Sequence, residues 1–87
     1  MTRQEILSLA QVTRDLLIPC CEAAAEADTA HSYELGSTAG EQIEMVFAAL
    51  WEHLEEIGHL NAYDRVAEIA VGDVHFLTGY NAHIFIH

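Results

Sequence analysis

Between residues 38 and 59 the apolar side chains recur at intervals of three and four. On a helical wheel Ile43, Val46, Phe47, Leu50, Leu54 and Ile57 share one side, with Trp51 at its edge. Glu41, Glu44, Glu52, Glu55 and Glu56 share the other, joined by His59. This period predicts one amphipathic helix with a buried stripe and a strip of carboxylates facing water. Thr38 followed by Glu41 has capping-box spacing and predicts the start, with Glu41 near the positive end of the helix dipole. Gly58 predicts the stop, in the left-handed conformation that glycine tolerates.

The same reasoning places a helix on each side. Thr2 and Glu5 form a second capping-box spacing, and Met1 is placed to staple onto Ile6. The stripe Ile6, Leu9, Ala10, Leu16, Leu17, Cys20 and Ala24 keeps its phase through Pro19. The expectation is a helix kinked at Pro19, or split there into two helices that share a face. Asp15, Glu22 and Glu26 lie opposite, and the alanine-rich run 22–30 carries the helix on. Residues 31–37, with Gly36, read as the first loop.

Asn61 reads as the cap of a third helix, with Asp64 in its first turn. Its apolar face is Tyr63, Val66, Ala67, Ala70, Val74, Leu77 and Ile84, while Ile69, Val71, Phe76 and Ile86 fall off that face. Residues 82–87 read as a continuation of helix, with a weakly alternating strand as the alternative. The expected fold is therefore all-α, a compact three-helix bundle forming one domain over residues 1–87. The third helix carries more apolar surface than one small bundle covers. That predicts a homodimer with Ile69, Gly72, Phe76 and Gly79 at the contact, the two glycines sharing a face and allowing close approach.

Charge sharpens the picture. The 87 residues hold fourteen acids, three arginines and no lysine, for a formal net charge of −11. Eleven of the acids and no basic side chain other than histidine lie between Arg14 and Arg65. Such a chain repels nucleic acid and anionic membranes, and its natural partner is a basic protein surface. No run approaches the roughly 18–20 apolar residues of a membrane span, and the polar N-terminus lacks a signal-peptide core, so a cytoplasmic protein is expected. Cys20 and Cys21 are too few for a disulfide framework. Cys20 falls on the apolar stripe and reads as core, with Cys21 at its edge.

Carboxylates three and four residues apart on a helix repel by a few tenths of a kcal/mol per pair. The strip is then either a solvated face that keeps the protein soluble, as in an accessory structural subunit, or a binding face for a basic partner. In its sharpest form the second reading is mimicry of a nucleic-acid backbone, directed at a nucleic-acid-binding target. Phage-encoded blockers of host defence nucleases are similar in composition, though not in sequence. The residues assigned to the contact are Glu41, Glu44, Glu52, Glu55, Glu56 and Trp51, followed by Glu22, Glu26 and Asp28. Phe76 is a second marginal aromatic of the kind found at interfaces.

A different chemistry is possible at Glu56 and His59, an E-x-x-H pair flanked by Glu52 and Glu55. Ferritin-like bundles use two such pairs to hold a di-iron centre. Here the spacing occurs once, so a second would have to come from another subunit. His83 and His87 are one helical turn apart and form a lesser candidate. No nucleophile motif, phosphate-binding glycine loop or paired-cysteine zinc spacing is present. The expectation is a non-enzymatic protein without a cofactor. The six histidines make its charge pH-sensitive, and protonating all of them would bring −11 to −5.

Overall fold

A computed structural model describes residues 1–86. Helix α1 runs over Arg3–Thr29 without a break. Its start follows the sequence. The Thr2 hydroxyl accepts a hydrogen bond from the Glu5 amide at 3.2 Å, and the Glu5 carboxylate accepts one from the Thr2 amide at 2.8 Å. Two otherwise orphaned donors are satisfied reciprocally. Pro19 lies inside α1 with its ring exposed, and the helix is not split there. The amide that proline lacks would have served the Asp15 carbonyl, on an exposed residue that water reaches.

The first connection is much shorter than the sequence pattern predicts. Residues 30–32 suffice, and α2 begins at Tyr33 and runs to Glu56. The α1 end is closed by the Ser32 amide on the Ala27 carbonyl at 2.9 Å and the His31 amide on the Asp28 carbonyl at 3.2 Å. These are the paired bonds of a Schellman motif, with His31 in the left-handed position at φ 53°. Ser32 then caps α2, its hydroxyl accepting from the Leu35 amide at 3.3 Å. Thr38 is thus six residues inside α2 rather than at its start. Its hydroxyl donates backwards to the Glu34 carbonyl at 3.1 Å. The predicted stop is where it was expected. Gly58 has φ 76°, and the His59 amide reaches the Leu54 carbonyl at 2.8 Å.

A 3-10 turn, Leu60–Ala62, leads into α3 at Tyr63–Thr78. Asn61 does not cap this helix: the capping position is Ala62, with no side-chain bond. Gly79, at φ 78°, ends α3. Beyond it the described residues form neither the predicted helix nor a strand but a single 3-10 turn, His83–Phe85.

α1 packs along both α2 and α3, while α2 and α3 barely meet each other. The C-terminal segment fills the seam between them. Ala82 and Ile86 are buried, Phe85 packs beside Gly40 of α2, and the Tyr63 hydroxyl donates to the Ile86 carbonyl at 3.4 Å. The result is flat and long, with principal extents of 41, 23 and 16 Å. The largest fully buried side chains are Leu17 of α1, Ile43 and Leu54 of α2, and Val66 and Val74 of α3. Each contributes about 1.5–3 kcal/mol of burial.

Several sequence assignments shift by one position. Cys21, not Cys20, is the fully buried cysteine, and Leu16 is exposed. Val71 joins the core, whereas Leu77 and Ile84 face water. The one buried polar residue described, Thr13, satisfies its hydroxyl on the Leu9 carbonyl at 2.8 Å.

Candidate protein-binding face

The α2 register decides what the carboxylates experience. Glu34 stands in the first turn, where the helix dipole favours a negative charge, so the benefit expected for Glu41 belongs to Glu34. Glu41 and Glu44 lie mid-helix. Glu52, Glu55 and Glu56 crowd the C-terminal end, where the dipole is negative and like charges lie one turn apart. All five residues of the predicted strip are exposed. Among the described residues none of their side chains has a hydrogen bond or ion pair. The ion pairs among the described residues are Arg14 with Asp15 at 2.8 Å on α1 and His83 of the C-terminal turn with Glu68 of α3 at 3.4 Å.

Trp51 stands beside this strip with 45% of its surface open. Its ring meets Tyr63 edge to face, with centroids 5.1 Å apart and planes at 70°. The pair borders a cleft of about 610 Å³ between α2, the start of α3 and the C-terminal turn. Glu44 and Asp64 line it, with Phe47 and Phe85 among the apolar side chains. Burial, with a smaller effect from Asp64, pushes the Tyr63 hydroxyl above its ordinary pKa. Tyr63, Asp64 and Phe85 were not assigned to any site from sequence. They are brought to Trp51 by the fold of the last third of the chain, which no local period encodes.

The secondary acids fall elsewhere. Glu22 and Glu26 line a shallow depression on α1 with Leu77 and Thr78 at the end of α3. Asp28 lies at the hairpin turn beside His31 and Tyr33. The antiparallel hairpin puts these three at the opposite end of the molecule from Glu52, Glu55 and Glu56. They do not join the α2 strip.

Of the four residues assigned to the dimer contact, Ile69, Gly72 and Phe76 stand at i, i+3 and i+7 along one side of α3, and Gly79 lies past its end. Phe76 is 88% exposed, Gly72 is exposed on α3, and Ile69 is half-buried against the core. Gly79 lies past the helix, where its positive φ explains the glycine without any close neighbour.

The metal alternative does not assemble within one chain. No group of three or more histidine, cysteine, aspartate or glutamate side chains converges among the described residues. His59 follows the left-handed Gly58, so it lies past the end of α2 and does not continue the helical face of Glu52, Glu55 and Glu56. It sits instead near Glu5, whose carboxyl is held below the ordinary range mainly by its bonds to Thr2. His87, the partner proposed for His83, lies outside the described residues. The Cys21 thiol is pushed up to about 11 by burial, which makes it a core side chain rather than a nucleophile. No helix among the described residues is long and apolar enough to cross a membrane. No protein-family model matches the chain, and neither a curated protein nor a solved structure matches it.

Proposed function

We propose that this is a non-enzymatic binding protein whose α2 face, Glu41, Glu44, Glu52, Glu55 and Glu56 with Trp51 beside them, docks on a basic surface of a nucleic-acid-binding protein and blocks it. The observation that carries the reading is where the acids lie. A face that served only solubility would gain by interspersing lysines or by gathering acids at the helix N-terminus. Here three of them sit unpaired at the negative end of α2, where both the dipole and their neighbours disfavour them. Five carboxylates span about 22 Å of helix axis. That density is of the same order as the one charge per roughly 3.4 Å along a single DNA strand.

The test is capture of partners from the native host at low and high salt, with the triple variant Glu52→Lys, Glu55→Lys, Glu56→Lys alongside. The three side chains are exposed, so the fold should survive, which circular dichroism checks. A basic nucleic-acid-binding protein should be retained at low salt, released at high salt, and bound roughly tenfold or more weakly by the variant. Retention indifferent to both salt and charge reversal would sink the proposal.

A further inference from the structure

The cleft beside Trp51 is chemically unlike the rest of the acidic face. Its floor is apolar, since Phe47 and Tyr63 are buried. Carboxylates stand on two of its walls, Glu44 from α2 and Asp64 from α3. No basic side chain lines it, and among the described residues neither carboxylate has a hydrogen bond or ion pair. The Tyr63 hydroxyl is already occupied by the Ile86 carbonyl, so it offers no donor to a ligand. What remains is an aromatic surface with two anionic groups beside it. That combination repels anions and suits a cation with a flat, weakly hydrated face.

A guanidinium fits this description better than an ammonium. It stacks on indole through the ring's negative face, it is the more weakly hydrated of the two, and its fork of donors matches a carboxylate. The cleft volume of about 610 Å³ leaves ample room for one side chain. We infer that the cleft receives an arginine side chain presented by the basic partner, its guanidinium against Trp51 and its charge met by Glu44 and Asp64. This deepens the reading above and rests on it. The strip supplies attraction at a distance, and the cleft supplies the choice of arginine over lysine.

Trp51 is the sole tryptophan, so its emission reports on this cleft. The probes are a hexaarginine and a hexalysine peptide, titrated at low and moderate salt by fluorescence and by calorimetry. Hexaarginine should shift or quench Trp51 and bind about fivefold more tightly than hexalysine. In calorimetry that preference should vanish in Trp51→Leu and in the double variant E44Q/D64N. It should persist in E41Q/E52Q, which removes the same charge from the strip outside the cleft. The double variants change only exposed side chains, so the test survives if Trp51→Leu disturbs packing against Tyr63. Equal affinity for the two peptides, or equal losses in both double variants, would overturn the cleft while leaving the acidic-face reading standing. Failure of both peptides to bind even at low salt would overturn both.

Discussion

Cys21 shows how one residue's setting controls a measurable property. Its side chain is fully buried between the helices, and the thiolate there is disfavoured for lack of water. The unfolded chain ionises near its ordinary value of 9.0 while the folded chain holds the proton to about 11. Above pH 9 the unfolded state therefore binds fewer protons, and stability falls as pH rises. Denaturant unfolding should lose roughly 1 kcal/mol per pH unit from about pH 9. Cys21→Ala should lose less stability over pH 9–10 than the parent, because the slope that Tyr63 and Tyr80 add toward pH 10 is common to both proteins. An unchanged slope in the variant would contradict the assignment. The sequence placed Cys20 at this position because it counted the stripe as Leu16, Leu17 and Cys20. The actual stripe runs Thr13, Leu17, Cys21 and Ala24, with Thr13 included because its hydroxyl is satisfied within the helix. A polar letter at a buried position is what hid the phase.

At the scale of elements, the start of α2 was misread for a physical reason. Thr38 and Glu41 carry the stronger cap signature, yet a threonine inside a helix donates equally well to the carbonyl four residues back. Ser32 is the true cap but has Leu35 where a glutamate would complete the box, so its signal is thinner. The preceding turn hid itself too, because its left-handed residue is a histidine rather than a glycine. That choice costs stability, since a side chain at positive φ is strained and His31 is exposed with little packing to offset it. His31→Gly should raise stability by about 0.5–1 kcal/mol, read as a higher denaturant midpoint. A lower midpoint would mean that the imidazole makes a contribution that outweighs the strain. By contrast, the Thr2–Glu5 box and the Gly58 stop were legible, because each residue does the work its type predicts.

At the scale of the whole molecule, an all-helical fold of three main helices followed from the periodicity, but its closure did not. Residues 82–87 read from sequence as more helix or, alternatively, a strand, whereas residues 82–86 wedge between α2 and α3 and complete the Trp51 cleft. Ile86→Ala should therefore behave as a core truncation, lowering stability by about 2–4 kcal/mol in denaturant unfolding. A loss below about 0.5 kcal/mol would show that the segment does not hold the helices together. The acidic strip was legible because it lies on one helix with a regular period. The cleft was not, because Glu44, Tyr63 and Phe85 meet only after three separate elements have packed.

The short hairpin also sets an order in time. Ala27 and Gly36 come into contact, with the Ala27 Cβ 3.7 Å from where a Cβ on Gly36 would lie, across a loop of nine residues. The contact of Gly40 with Phe85 spans forty-five. Closing the short loop costs less entropy, which favours pairing of α1 with α2 before the C-terminal segment seats. Until it does, the Trp51 cleft lacks the wall that Ile84, Phe85 and Ile86 supply. Seating the C-terminal segment and completing the Trp51 cleft are one event.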